Sequence, residues 1–193
     1  MVRALVLAAH PVPDSYGAAL RDATAGALRG RGWDVDLCDL YAERFDPVLS
    51  EAERRGYHEV PANRGPVESY VARVEAADAL VMVFPVWNFG YPAILKGFLD
   101  RVFLPGVSFL IRDGKLAPNL TRVRRLAAVT TYGGTRMRAM LCGDPPRRCV
   151  TRAVRFVCQP RTMRYLALYD MNRASDARRG AFLKRVEAEM GSF

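Results

Sequence analysis

A chain of 193 residues is long enough for one domain with a real core and hardly long enough for two. Half of the residues are apolar and a quarter are charged. No window approaches the roughly eighteen uninterrupted apolar residues of a membrane span, so a globular chain without a transmembrane helix is expected. The net charge of +9 is unevenly placed: residues 136–193 carry 13 basic and 5 acidic side chains, residues 1–135 carry 16 and 15. Such asymmetry marks either an anionic partner or a helical face solvated by arginine. Nucleic acid is not the expected partner, because the basic stretch lacks a recognition-helix pattern and interleaved aromatics. The apolar N-terminus, Met1 to His10, lacks a full basic n-region and a convincing cleavage site, so it reads as a first strand and not as a signal peptide. The four cysteines, Cys38, Cys142, Cys149 and Cys158, form no C-x-x-C pair. With only two histidines in the chain, no zinc site is expected, and free thiols in a reducing cytoplasm are the simpler reading.

Val2 to Ala9 reads as the first strand. Two prolines in His10-Pro11-Val12-Pro13-Asp14-Ser15 stop it, and Asp14 or Ser15 can cap the helix that follows, Tyr16 to Arg29. Leu20, Ala23, Ala27 and Leu28 give that helix its spacing, and Gly30 and Gly32 end it. Trp33 to Leu40 alternates as a second strand. Phe45 to Pro66 has the composition of a charged surface excursion with helical pieces. Glu68 to Ala77 is a short helix.

The stretch Ala79 to Phe98 organises the rest. It begins as an unbroken apolar run, as a strand buried on both faces requires. It then turns through Pro85, Val86, Trp87, Asn88, Phe89 and Gly90, and opens at Pro92 into a helix reaching Phe103. Leu104 to Leu120 is a loop with a small hairpin around Ile111 to Lys115. Arg125 to Thr131 is a fourth strand, ending in Tyr132-Gly133-Gly134. Pro146 to Val157 reads as a helix and Tyr165 to Tyr169 as a fifth strand. Ser175 to Met190 is an amphipathic helix with Phe182, Val186 and Met190 on one face.

Strands alternating with helices, with no repeat or linker, predict one α/β domain over residues 1–193 built on a parallel sheet. Five strands fit the doubly wound order 2-1-3-4-5, with helices on both faces and a switch point between strands one and three. The loops after strands one, three and four then meet at one edge. His10 to Ser15 offers an imidazole, a hydroxyl and a helix N-terminus, donors that suit a phosphate. Pro85 to Pro92 offers backbone groups beside Trp87 and Phe89. Thr130 to Gly134 offers two hydroxyls and two glycines, which let a ligand plane approach the backbone. No G-x-G-x-x-G follows strand one, and there is no P-loop and no G-x-S-x-G elbow. A bound flavin fits these loops better, because the cofactor brings the reactive atom and the protein need only hold and polarise it.

Several motifs occur in the same order in a known family. They are His10-Pro11-x-x-x-Ser15, Gly32-Trp33-x-Val35-x-x-x-Asp39-Leu40-Tyr41, Phe45-Asp46-Pro47-Val48-Leu49, and above all Phe84-Pro85-Val86-Trp87-x-Phe89-Gly90-x-Pro92-Ala93-Ile94-Leu95-Lys96-Gly97-Phe98 with Asp100-Arg101-Val102-Phe103. With Thr130-Thr131-x-Gly133-Gly134 they resemble the flavodoxin-like NAD(P)H:quinone oxidoreductases of the DT-diaphorase type, over roughly residues 1–135. The resemblance implies a homodimer that binds FAD or FMN, takes hydride from NAD(P)H and passes it to a quinone or similar acceptor. By position, His10, Ser15, Tyr16 and Gly17 would hold the flavin's phosphate and ribityl portion. Pro85, Val86, Trp87, Asn88 and Phe89 would line its ring, and Thr131, Tyr132, Gly133 and Gly134 would close the other edge.

The departures from that pattern carry expectations of their own. Asn88 stands where the family has a second aromatic, and Tyr132 is inserted between the threonines and the glycines; these two are the candidate catalytic residues. The family's Tyr and His beyond this point, implicated in charge relay to the quinone, are not matched, since residues 135–164 contain no His. An arginine can stabilise developing negative charge there but cannot act as an acid or base at neutral pH. Arg136, Arg138, Arg147 and Arg148 are the candidates for meeting the 2′-phosphate of NADPH. The reading from another class is a flavin-binding, redox-sensing regulatory subunit with little turnover of its own.

Overall fold

The computed structural model describes all 193 residues. In chain order the first elements are β1 (Arg3–Ala8), α1 (Tyr16–Gly30), β2 (Asp34–Asp39), α2 (Glu51–Arg55), α3 (Glu68–Ala76), β3 (Ala79–Val86) and α4 (Ala93–Val102). Then come β4 (Phe109–Arg112), β5 (Lys115–Pro118), β6 (Arg125–Tyr132), α5 (Arg136–Leu141), α6 (Pro145–Arg148), α7 (Arg155–Cys158), β7 (Thr162–Leu168) and α8 (Asp176–Gly191). A π-helical turn over Cys149–Val154 joins α6 to α7.

Five strands form one parallel sheet in the order β2-β1-β3-β6-β7, while β4 and β5 stand apart as an antiparallel hairpin. Counting the sheet strands alone, the order is 2-1-3-4-5. Successive side chains of a strand point to opposite faces, and here helices cover both. Leu5, Leu7, Leu80, Met82, Phe84 and Leu126 pack in one core with Val71 of α3, Leu95 and Phe98 of α4, and Val154. Ala4, Val6, Val81, Val83, Ala127 and Val129 pack in the other with Leu20 and Leu28 of α1 and Phe182, Val186 and Met190 of α8. Both parities of the central strands are therefore apolar, which is why β3 reads as an uninterrupted run. No helix is long and apolar enough to cross a membrane.

The charged excursion is pinned to α4. Ser50 and Glu53 form a capping box on α2. Glu53 in turn receives the Arg101 guanidinium at 2.6 and 2.8 Å, in a pair withdrawn from water. The same guanidinium donates to the Asp46 carbonyl. Gly97 lies directly beneath Pro47, and a Cβ there would come 2.2 Å from the Pro47 carbonyl oxygen.

The expected helix Pro146 to Val157 is α6, the π turn and α7 in one run over 145–158, and three further differences concern β7, α5 and α4. β7 begins at Thr162, not Tyr165, because it is an edge strand: polar Thr162 and Arg164 belong to it, and Arg164 bonds to the end of α8 through Ser192. α5 was not expected at all. Thr135 caps it, but only Ala139 is buried and Met137, Met140 and Leu141 are exposed, so no core-facing periodicity announces it. Pro92 is the N-cap of α4 and lies outside its first turn.

Gly97→Ala forces the excursion away from α4. Overpacking of this kind is expected to lower stability by about 1–3 kcal/mol, read as a lower urea midpoint. A midpoint equal to wild type would show that the excursion is not held at this point.

Candidate active site

Register sets the site. Ala8 pairs with Val83, Pro85 with Thr131 and Val86 with Tyr132, so the C-terminal ends of β1, β3 and β6 lie side by side. The loops that follow open at one edge of the sheet, where β1 leads outward to β2 and β3 leads across to β6. That switch point is where open α/β sheets bind ligands. A crevice there is lined by Ala9, His10, Gly17, Arg21, Pro85 and Thr131, among others. Arg21 is held in its wall by a 2.7 Å bond to Asp39.

In the first loop, His10 Nδ1 accepts from the Val12 N–H at 3.1 Å and meets the Ser15 hydroxyl at 2.9 Å. A backbone N–H can only donate, so Nδ1 is the acceptor, Ser15 donates to it, and the neutral ring carries its proton on Nε2. The Ser15 oxygen also accepts from the Ala18 N–H at 3.1 Å and so caps α1. Ser15 therefore orients His10 and starts the helix. Gly17 makes room for the imidazole: a Cβ there would lie 2.9 Å from His10 Cδ2. The Tyr16 phenol does not face the crevice as expected. Its hydroxyl donates to the Arg179 carbonyl of α8 at 2.8 Å, and burial pushes its pKa up to about 12. What Tyr16 and Gly17 offer the crevice is their N–H groups, which no protein group accepts from, at the positive end of the helix.

The second loop is a two-residue turn closed on both sides. The Trp87 N–H donates to the Gly90 carbonyl at 3.2 Å, and the Gly90 N–H to the Trp87 carbonyl at 2.8 Å. Between them Asn88 has φ +48° and Phe89 φ +56°. Positive φ at both central residues is the type I′ geometry. Asn is at home at the first position, but the second is ordinarily Gly, and a bulky residue there costs about 1–2 kcal/mol. The turn nonetheless displays two aromatic rings, Trp87 at 41% exposure and Phe89 at 38%. The Trp87 ring meets His10 edge-on, with centroids 5.9 Å apart at 61°. Asn88, expected to be catalytic, is exposed, and its side chain bonds to no protein group. Its backbone conformation is sufficient reason for an Asn at this position.

The third loop divides its residues between two faces. Thr131 opens on the crevice, and Tyr132 points the other way. Tyr132 is 2% exposed. Its hydroxyl donates to Asp144 Oδ1 at 2.7 Å and accepts from the Tyr165 hydroxyl at 2.7 Å, while its ring stacks on Tyr169 with centroids 4.4 Å apart. Burial first, then the neighbouring Tyr165 and Asp144, push the phenol far above the ordinary tyrosine value. Tyr132, expected as a catalytic residue at the ligand edge, thus sits as a fixed donor behind the loop, its side chain turned away from the crevice. Gly133 and Gly134 are anchored from β7's far end: the Asp170 N–H donates to the Gly134 carbonyl at 2.7 Å, and a Cβ on Gly133 would sit 3.0 Å from Asn172 Nδ2.

Arg21, Asp144, Tyr165 and Tyr169 belong to this edge and were not singled out from the sequence. The only signal was Gly143-Asp144-Pro145-Pro146, an acidic residue ahead of prolines at a helix start. Tyr132→Phe strips the largely buried Asp144 carboxylate of its donor. The expected loss is about 1–3 kcal/mol in urea unfolding, and Tyr165→Phe should lose less. Equal stability of Tyr132→Phe and wild type would contradict the network.

Known proteins resemble this chain in sequence and fold. The family described as flavodoxin-like fold matches residues 2–187. NAD(P)H dehydrogenase (quinone) 1 of Cavia porcellus is 38% identical over 123 residues, covering 55% of this chain and 45% of that protein. The Rattus norvegicus protein of the same name is 32% identical over 151 residues, covering 70% and 55%. The chain therefore spans about half the length of these relatives. The solved structure of Smu.1420 from Streptococcus mutans UA159 superposes with a TM-score of 0.87 at 29% identity over the whole of both chains. With a five-stranded parallel sheet and a family match over nearly its whole length, the chain belongs to the flavodoxin-like fold family.

Proposed function

We propose that the chain is a flavin-dependent NAD(P)H oxidoreductase that transfers hydride from NAD(P)H, through bound FAD or FMN, to a quinone or similar acceptor. The observation that carries this reading is the strained turn at Trp87–Gly90. A sheet of this kind needs a turn after β3, but it does not need Phe89 at positive φ with two exposed aromatic rings at the switch point. Strain persists where the surrounding structure and function require it. The sequence relatives named NAD(P)H dehydrogenase (quinone) 1 support the same reading.

The residues at the edge fit a flavin. When bound, the flavin supplies a ring that takes up hydride and gives it away again. Trp87 and Phe89 offer apolar faces to a flat ring and keep water from it. Gly133 and Gly134, without side chains, let a ring edge reach the backbone. The free N–H groups of Tyr16 and Gly17 receive a phosphate at the α1 N-terminus, and His10 holds a proton on Nε2 beside them. A second copy of the chain belongs to the reading. Trp87, Phe89, Met137, Met140 and Leu141 are all exposed, and a homodimer would give such apolar side chains cover.

The purified protein is expected to be yellow, to release FAD or FMN on denaturation, and to reduce a water-soluble quinone with NADH or NADPH. Trp87→Ala is expected to weaken flavin binding about tenfold. A colourless protein that takes up neither flavin would overturn the reading, and flavin binding without steady-state turnover would move it to a redox-sensing subunit.

A further inference from the structure

Behind the third loop lies an open cavity of about 370 Å³ that the flavin reading does not use. Four guanidiniums line it: Arg136 from the first turn of α5, Arg147 and Arg148 from α6, and Arg152 from the π-helical turn. None of the four has an ion-pair or hydrogen-bond partner for its side chain. Elsewhere Arg21, Arg64, Arg73, Arg101 and Arg164 each meet a carboxylate, while exposed arginines such as Arg44, Arg112 and Arg185 are solvated singly. The one carboxylate in the cavity, Asp144, accepts from Tyr132. Arg147 lies over the Tyr165 ring, 4.8 Å from its centroid.

Arg148 and Arg152 stand one helical turn apart, and like charges at that spacing repel. All four side chains are exposed, and an anion seated in the cavity would relieve that repulsion. Their forked donors match phosphate oxygens in pairs. Thr151 adds a hydroxyl, and Gly143, at φ +79°, leaves room for the Arg148 guanidinium, 3.6 Å from where its Cβ would stand. The helical run widens into a π turn at this cavity, a distortion found often at functional sites. Four positive charges call for more than a lone carboxylate, and a phosphate monoester carries about −1.5 to −2 at neutral pH.

The cavity is linked to the third loop of the candidate active site. Tyr169 lines it and stacks on Tyr132, and the next residue, Asp170, holds the Gly134 carbonyl. We infer that the cavity binds a phosphate monoester, and that the 2′-phosphate of NADPH is the group it receives. The second half rests on the oxidoreductase reading; the first rests on the cavity alone. Arg152 takes the place that the sequence had given to Arg138, which does not line the cavity.

Two experiments separate these halves. In the first, calorimetry on the protein as purified uses inorganic phosphate, adenosine 2′-monophosphate and adenosine. Phosphate and the monophosphate are expected to bind and adenosine not, with affinity lost in Arg148→Gln/Arg152→Gln. In the second, kcat/KM of the flavin-loaded enzyme is compared for NADPH and NADH. NADPH is expected to be preferred at least about tenfold, and each Arg→Gln change is expected to lower the preference about tenfold, as the loss of one charge-assisted hydrogen bond does. Arg185→Gln, on the exposed side of α8, removes the same charge elsewhere and is expected to leave the preference as it is. Phosphate binding without NADPH preference supports the cavity and overturns NADPH as its ligand. A protein with no oxidoreductase activity but with arginine-dependent phosphate binding refutes the enzyme reading and not the cavity. Absence of phosphate binding overturns the inference.

Discussion

β3 is hydrogen-bonded on both edges and buried on both faces, and the rest of the molecule depends on where that ends. On one side its pairing with β1 closes at Val83, where the Ala9 N–H makes the last bond. On the other side its pairing with β6 continues to Val86. For three residues β3 therefore runs on with a neighbour on one side only. Pro85 lies in that stretch, where a residue without an N–H fits a strand otherwise closed to proline. The vacated side is the crevice, and the N-terminus of α1 opens onto it.

The chain leaves β3 through a turn that local preference alone does not favour. Asn88 explains itself at φ +48°, since asparagine tolerates left-handed backbone better than other residues with a side chain. An aromatic at that position would be strained, which gives a conformational reason for this chain's departure from its family's pattern. Phe89 has no such excuse. It is held by the two hydrogen bonds between Trp87 and Gly90, and it gains little burial in return. Strain kept in place at a switch point, beside free helix N–H groups, is the physical core of the flavin reading.

Much of this was legible in the sequence. Covering the sheet on both faces makes its central strands continuous apolar runs, so β1, β3 and β6 could be read directly, and their alternation with helices indicated the crevice loops. The ordered motifs around Pro85 to Phe98 pointed to the same edge. What could not be read depends on three-dimensional neighbours. Thr131 and Tyr132 are adjacent in sequence, but strand parity sends one to the crevice and the other to Asp144 and Tyr165. The Tyr16 phenol bonds to α8, some 160 residues further on, and leaves only the Tyr16 N–H to face the crevice. The sign of φ at Phe89 leaves no trace in composition. Nor does the grouping of Arg136 with Arg152, which the π turn and the short helix α5 bring to one cavity.

The charge asymmetry is resolved along the same lines. Some of the basic residues from Arg136 onward make ion pairs, as Arg164 does with Glu189, four line the cavity unpaired, and others such as Arg155 and Arg185 are solvated on the surface. The strain of the turn at Trp87–Gly90 is kept for a flat cofactor. The most direct measurement is a paired one on Phe89→Gly, unfolding free energy of the flavin-free protein together with flavin affinity. The account predicts stability equal to wild type or higher by up to about 1 kcal/mol, because glycine relieves the left-handed backbone, and flavin affinity lower by about tenfold or more. Stability that falls while flavin affinity is unchanged would contradict it, since Phe89 would then serve the fold and not the ligand.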